Sequence, residues 1–232
     1  MIEAEWWDYE DLDEMADAIG GDIGFIIESA LDARGSALIA LPADDTAKKI
    51  FPKLAAAQLQ WKKVTIIPTD DRIVAVDNPQ SNARAIAQSF LSIGARVFPF
   101  VTPLPDHRLA GNAADARLQD LPWPPDLVWL GMGEDGSTAG LFAGPDLQDA
   151  LEAPRARRAV GVMPDPPAAD GLPRVSLTRA SILAARTLTI AIQGAAKREL
   201  LEGAIADGQS SRLPIGRLLA EAEQPIDIHW AP

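Results

Sequence analysis

The sequence predicts an α/β fold in which a doubly wound, mostly parallel sheet carries helices on both faces. Apolar runs of four to six residues alternate along the chain with longer stretches of helical periodicity. Strands that alternate with helices in this way form parallel sheets that are covered on both sides. A length of 232 residues, of which 47% are hydrophobic, suits one such unit, so we expect a single domain over residues 1–232.

The first part of the chain predicts three helices and three strands. An apolar run, IEAEWW, precedes residues 9–33, whose apolar side chains follow helical spacing although Gly20-Gly21 weakens the middle. The elements that follow are, in order, a strand at 36–41, a helix at 45–59, a strand at 64–68, a polar loop, a helix after the N-cap candidate Ser81, and a strand-like run at 96–100. Pro99 makes that last run a weaker strand candidate.

The second part of the chain predicts four more strands. The run DLVWLGM at 126–132 is the clearest of them. The remaining elements are strands at 158–162, 187–192 and 226–230 and helices at 178–185, 195–206 and 214–222. The proline-rich stretch at 163–173 is expected to be a surface loop, either mobile or a plain connection.

Composition excludes several classes of function. The chain has no cysteine, which excludes disulfides, thiolate metal sites and a cysteine nucleophile. Its two histidines, His107 and His229, make a multi-histidine metal site improbable; His229 lies in a strand-like run and is expected to be structural, and His107 is expected in a loop. A net charge of -12 argues against a nucleic-acid partner. No apolar run reaches the ~18 residues of a membrane span, and the acidic N-terminus is unlike a signal peptide, so we expect a cytoplasmic protein.

A glycine-rich stretch, GMGEDGSTAGLFAG at 131–144, directly follows the clearest strand and reads G-x-G-x-x-G. A dinucleotide site would need a full helix and a ribose-binding acid ~20 residues on. Gly144-Pro145 stops any helix shortly after Ser137, and no convincing acid follows. The glycines instead allow a ligand to approach the backbone, and residues 135–138 are expected to open a short helix with N–H groups facing that ligand. A plain glycine turn with Ser137 as an N-cap is the alternative.

The same stretch resembles the signature of the 6-phosphogluconolactonases, D-L-V-x-L-G-M-G-x-D-G-H-T-A-S-L-F-P-G. Four further blocks resemble that family in the same order: LIALPADDTAKKIFPKL, WKKVTIIPTDDRIVAVDNPQSN, PRVSLTRASILAAR and IAIQGAAKRELL, all within residues 38–201. The related glucosamine-6-phosphate deaminases have D-G-H-I-A-F-N at the signature, which fits less well. The resemblance implies hydrolysis of 6-phospho-D-glucono-1,5-lactone without a metal or organic cofactor, and the same α/β fold. Its implied partner is a small sugar-phosphate lactone; the oligomeric state is left open.

The resemblance also implies a set of site residues. Ser137 stands where the family has its histidine base; Asp135 would orient the base or the water, and Glu134 is a further candidate base. The substrate-binding candidates are Thr46, Arg72, Asn82, Gly131, Gly133, Gly136, Arg174 and Lys197. For several of these a structural role is the alternative. Arg72 could be a surface arginine paired with Asp70 or Asp71, Asn82 a first-turn helix residue, and Lys197 a solvated lysine.

The chain departs from the family at two loops. Serine cannot accept a proton at neutral pH without a base beside it, and carboxylates are ordinarily weak bases. PADDTA at 42–47 replaces S-G-G-S-T-P, so Asp44 and Asp45 stand where backbone should meet the phosphate and are expected to repel it. Two hypotheses follow: a lactonase with an altered site, or a non-catalytic sugar-phosphate-binding or regulatory relative.

Overall fold

The computed structural model describes residues 2–164 and 170–232, which form two sheets and the helices around them. The strands are β1 (Ala4–Asp8), β2 (Ala37–Leu41), β3 (Val64–Pro68), β4 (Asp70–Arg72), β5 (Arg96–Val97), β6 (Leu127–Leu130), β7 (Ala159–Val162), β8 (Arg174–Leu177), β9 (Thr187–Gln193) and β10 (Ile226–Ala231). The helices are α1 (Leu12–Arg34), α2 (Asp45–Ala55), α3 (Asn82–Phe90), α4 (His107–Leu118), α5 (Leu147–Leu151), α6 (Arg179–Leu183), α7 (Ala195–Asp207) and α8 (Pro214–Leu219). Residues 165–169, within the stretch expected to be a surface loop, lie outside the described residues.

The main sheet has seven strands in the order β1-β10-β9-β6-β2-β3-β5, and each neighbouring pair is parallel. The strand order runs in opposite directions on the two sides of the β2–β6 pair, as in a doubly wound fold. The predicted mostly parallel sheet is therefore confirmed.

Alternate side chains of the central strands enter two separate cores. In β2, Ile39 and Leu41 pack with α1, α2 and α3, whereas Leu38 and Ala40 pack with α4, α7 and α8. All five residues of this strand are buried, which explains the continuous apolar run that the sequence shows. Helices on both faces, as predicted, follow from this two-sided burial.

The second sheet was not predicted from the sequence. It is antiparallel, in the order β4-β8-β7, and places Arg72 opposite Arg174. The prediction of a continuous polar loop after residue 68 was wrong for β4, because a strand of three residues is too short to show a period of two. β8 was missed as well, since its four residues are all buried and show no alternation.

Three other predictions were wrong in detail. His107 is the first residue of α4, not part of a loop, and this alanine-rich helix lacked a clear apolar stripe in the sequence. No helix begins at Ser137: Thr138 and Leu141 form an isolated antiparallel bridge, and Ala139 and Gly140 both have positive φ. β5 covers only Arg96–Val97 of the run expected at 96–100.

Helix α4 lies directly against β7 at two glycines. A Cβ at Gly161 would overlap the carbonyl oxygen of His107, and a Cβ at Gly111 would overlap the backbone nitrogen of Gly161. Backbone therefore contacts backbone at this point, with no room for side chains. Because β7 pairs with β8, the contact fixes the position of the strand that carries Arg174.

The long helix α1 does not have the character of a membrane span. Within residues 2–164 and 170–232, no helix is both long and apolar enough to cross a bilayer.

His229 of β10 is buried, with the Tyr9 hydroxyl placed 2.8 Å away to donate to its Nδ1. The two rings stack with their centroids 5.8 Å apart. Burial lowers the pKa of His229 from 6.5 to about 4. A structural role, as expected from the sequence, fits this position because His229 lies away from the cavity described below.

The buried imidazole predicts a loss of stability in mild acid. Between pH 6.5 and pH 4 the unfolded chain binds a proton at His229 that the folded chain does not, so stability falls as the pH falls. From pH 7 to pH 5 we expect this residue to lower the free energy of unfolding by about 2 kcal/mol. The measurement is urea unfolding at both pH values for the protein and for His229→Gln. Equal pH dependence in the two proteins would contradict the assignment.

Candidate active site

A cavity of ≈ 550 Å³ opens at the carboxyl ends of β2, β3 and β6. The segments that follow these strands form its wall, together with Arg174 of β8 and Lys197 of α7. The strand order of the main sheet reverses between β2 and β6, at this same edge. Ligands of open α/β sheets bind at such reversal points, so this cavity is the candidate active site.

The glycine stretch after β6 forms one wall and holds Ser137 toward the cavity. Ser137 Oγ lies 2.6 Å from Asp135 Oδ1, and the Ser137 N–H donates to the same carboxylate oxygen at 3.0 Å. A Cβ at Gly133 would lie 2.5 Å from Ser137 Oγ, so glycine is needed for this side chain to lie across the loop. The result is a hydroxyl on the cavity wall that donates to a carboxylate and accepts no hydrogen bond from the described residues.

Backbone hydrogen bonds fix the shape of this loop. The Gly133 N–H donates to the Ser137 carbonyl at 2.8 Å, and the Thr138 hydroxyl donates to the Gly131 carbonyl at 2.7 Å. Gly136 has a φ of 73° and packs against Leu213, away from the cavity. Several independent bonds thus hold Ser137 and Asp135 in place.

The loop after β2 forms the neighbouring part of the wall and places Asp44 at the cavity. Asp44 is the N-cap of α2, and its Oδ1 accepts the Ala47 N–H at 2.8 Å. Its Oδ2 occupies the place of a Cβ at Gly131, so this carboxylate lies against the glycine loop. Asp45 differs: its side chain is 97% exposed and reaches only Lys48, at 3.9 Å.

The surrounding protein atoms raise the pKa of the Asp44 carboxyl by desolvation. Hydrogen bonds from Ala47 and Thr46 and the positive charge of Lys197 oppose this rise. The Asp44 side chain is accessible from the open cavity.

A chain of ion pairs forms another part of the cavity wall. Arg72 Nε lies 2.5 Å from Asp170 Oδ2, and Arg174 Nη2 lies 3.1 Å from the same oxygen. Arg174 Nη1 also donates to Asp70 Oδ2 at 3.0 Å, and the Arg174 guanidinium stacks on Phe142 at 5.2 Å. The idea that Arg72 is a surface residue paired with Asp70 or Asp71 is wrong: its ion-pair partner is Asp170.

Asp71 has a structural role beside this chain. Its buried carboxylate accepts the backbone N–H groups of Asn82 and Ala83 and the Ser81 hydroxyl, so it anchors the first turn of α3. Ser81 is the N-cap of that helix, as predicted. Asn82 donates to the Asp70 carbonyl at 2.7 Å and accepts from Arg72 at 3.2 Å, which orients the arginine from the first helical position.

The structure brings most of the predicted site residues to one cavity. Those on its wall are Thr46, Arg72, Asn82, Gly131, Gly133, Ser137, Arg174 and Lys197. Asp135 meets the cavity through Ser137, whereas Glu134 is exposed and lies off the wall, as does Gly136. The chemical roles of these residues stay predictions.

Sequence reasoning missed several wall residues, among them Lys48, Phe142 and Asp170, whereas Asp70 was named from the sequence as a possible partner of Arg72. Lys48 lies one turn after the predicted helix start at residue 45, so the sequence could have placed it on the same side of the helix as the loop at 42–47. Asp170 had no such signal in the sequence. It lies in a proline-rich stretch, far from Arg72 in the chain, and only the fold brings the two side chains together. Among the described residues, no three histidine, aspartate or glutamate side chains are grouped in a way that could hold a metal ion.

The chain is similar to known proteins over almost its whole length. A family model described as glucosamine-6-phosphate isomerases/6-phosphogluconolactonase matches residues 10–230. A 6-phosphogluconolactonase of Mesorhizobium japonicum is 37% identical over 98% of this chain and 95% of its own. One of Rhizobium meliloti is 35% identical over 97% of both chains. The crystal structure of a 6-phosphogluconolactonase from Shewanella baltica, 26% identical, has a TM-score of 0.91 and covers 99% of this chain and 98% of the other.

Proposed function

The chain belongs to the glucosamine-6-phosphate isomerase/6-phosphogluconolactonase family, and from this premise we propose that it hydrolyses 6-phospho-D-glucono-1,5-lactone to 6-phosphogluconate. The lactonase branch is favoured because relatives that are 35% and 37% identical over nearly full length carry that name. Cytoplasmic location is part of the proposal and is supported by the absence of cysteine.

The observation that carries the proposal is the Ser137–Asp135 pair beside the cavity. Hydrolysis requires a water molecule to attack C1 of the lactone while a group accepts the water proton. Ser137 Oγ donates to Asp135 Oδ1 at 2.6 Å, so it can accept the water proton while it passes its own proton to the carboxylate. Asp135 is then the base, and Ser137 connects it to the water.

A weak base of this kind can suffice for this reaction. A lactone is an activated ester, so the barrier that the base must lower is smaller than for an amide. Lys197, on the same cavity wall, supplies a positive charge for the alkoxide that develops on the carbonyl oxygen or for the phosphate. We expect slower catalysis than a histidine base would give.

A second candidate function is binding of a sugar phosphate without catalysis. The observation that favours it is the composition of the wall: among the described residues that line the cavity, none is a histidine. His107 and His229 lie elsewhere in the fold. Lactone disappearance measured above the spontaneous rate distinguishes the two functions, since binding of 6-phosphogluconate without any rate increase would establish the second.

The two adjacent carboxylates of the glycine stretch allow a sharp test of the base. We expect Asp135→Asn to lower kcat about tenfold, because an amide cannot take the proton from Ser137. Glu134→Gln is the matched variant. Glu134 is the preceding residue, its side chain is exposed, and the substitution removes the same charge. We expect less than a twofold change for it. A larger loss in Glu134→Gln than in Asp135→Asn would contradict the proposed relay.

A further inference from the structure

The cavity already contains carboxylates at the places where an anionic ligand would bind. Arg72 and Arg174 both donate to Asp170, and Arg174 also donates to Asp70. The side chains of Arg174 and Asp70 are only 10% and 9% exposed, so this pair is a fixed part of the wall. A phosphate that binds the two guanidinium groups must therefore displace the carboxylates of Asp70 and Asp170, or share the guanidinium groups with them.

Asp170 keeps its charge in this setting. Partial burial alone would raise the pKa of its carboxyl, but hydrogen bonds from Arg72 and the Leu172 N–H, with the charges of both arginines, outweigh burial and lower it. Asp170 is thus an anion at neutral pH and competes with a phosphate for the same donors.

Asp44 occupies a second place where an anion could bind, the first turn of α2. Its carboxyl group accepts the Ala47 N–H in the first turn of α2 and lies against Gly131, with Lys197 close enough to affect its charge. The space is occupied whether or not Asp44 is protonated. The Asp44 side chain therefore takes up the volume that a phosphate would need at this turn.

Charge counting over the wall leads to the same result. Four carboxylates and four basic side chains line the cavity, so its net formal charge is zero, within a protein whose net charge is -12. A phosphate dianion therefore meets a wall that has no net positive charge. Hydroxyl groups, by contrast, can bind charged side chains that already have partners, because carboxylates and guanidinium groups keep spare acceptors and donors.

We propose that this site also hydrolyses an unphosphorylated, polyhydroxylated 1,5-lactone, and that it discriminates only weakly in favour of the phosphorylated one. The inference rests on the proposed function, because both lactones undergo the same attack of water on C1. Water adds to the carbonyl carbon, the ring C1–O bond breaks, and an acid and a hydroxyl group form. No other reactant takes part.

The test compares kcat/KM for 6-phospho-D-glucono-1,5-lactone and for D-glucono-1,5-lactone, each corrected for spontaneous hydrolysis. A site with two free charged hydrogen bonds to phosphate would favour the phosphorylated lactone by roughly 100-fold or more. We expect a ratio below that value. A ratio of about 100 or above overturns the inference and leaves the proposed function intact, whereas hydrolysis of neither lactone contradicts both.

Asp170→Ala provides the second arm, because it frees Arg72 and Arg174 from their shared partner. We expect the ratio to rise at least tenfold, through a lower KM for the phosphorylated lactone. Asp45→Ala is the matched control: it removes the same charge from the cavity rim, where the side chain is 97% exposed and touches neither arginine. An equal rise in both variants, or no rise in Asp170→Ala with an unchanged melting temperature, overturns the inference.

Discussion

Replacing Ser137 by histidine is expected to raise the rate of lactone hydrolysis by tenfold or more. An imidazole with a pKa near ~6.5 is mostly free base at neutral pH and accepts a proton from water directly, and such catalysis contributes ~100- to 10,000-fold where the geometry is right. Asp135 Oδ1 lies 2.6 Å from the present hydroxyl, so it is placed to accept the ring N–H and orient the base. The larger ring has to turn away from Gly133, because the Ser137 side chain already lies against that glycine.

The measurement is lactone disappearance above the spontaneous rate, with both proteins at equal concentration. Ser137→Gln is the control, since it has similar bulk and polarity but cannot act as a base. The histidine variant should also show a rate that rises with pH through the imidazole pKa. If the natural protein already matches an ordinary lactonase and histidine slows it, then Ser137 is not the position of a replaced base.

Gly161→Ala is expected to destabilise the fold by about 3 kcal/mol. The added methyl group would overlap the His107 carbonyl at the start of α4, and backbone cannot move aside as the end of a long side chain can. Helix α4 would have to shift away from β7, which pairs with the strand that carries Arg174. We therefore expect weaker substrate binding in whatever folded protein remains.

Gly203→Ala is the matched control in the exposed part of α7. A Cβ at that position meets nothing within 4 Å. Alanine should stabilise this helix by about 0.5–1 kcal/mol, since it has the higher helix propensity. Urea unfolding of both variants checks the pair. A loss below about 1 kcal/mol for Gly161→Ala would mean that α4 and β7 separate easily.

The sequence predicted the main sheet well because most of its strands are buried on both faces. Apolar runs such as VTIIP mark β3 at its observed bounds, Val64–Pro68. In the second sheet only β7 was predicted, as the strand at 158–162. β4 and β8 escaped prediction because their identity depends on pairing, which places Arg72 opposite Arg174. Local periodicity carries no information about such partners.

The site was predictable in its position but not in its charge balance. Family blocks follow β2, β3 and β6, so the cavity could be placed at their carboxyl ends from the sequence. The side-chain directions of two adjacent aspartates could not, because N-capping turns Asp44 inward and leaves Asp45 in solvent. We expected both Asp44 and Asp45 to face the phosphate. In the structure only the Asp44 side chain turns toward the cavity.

The pairing of β1 with β10 has a consequence for biosynthesis. β1 occupies one edge of the main sheet, and β10 is its neighbour there. Because the ribosome makes β1 first and β10 last among these strands, the opening segment, including Trp6 and Trp7, must wait unpaired while nearly all the rest of the chain emerges. Pairing between strands that lie so far apart in the chain forms late and slowly, so this tryptophan-bearing edge stays exposed to chaperones during translation.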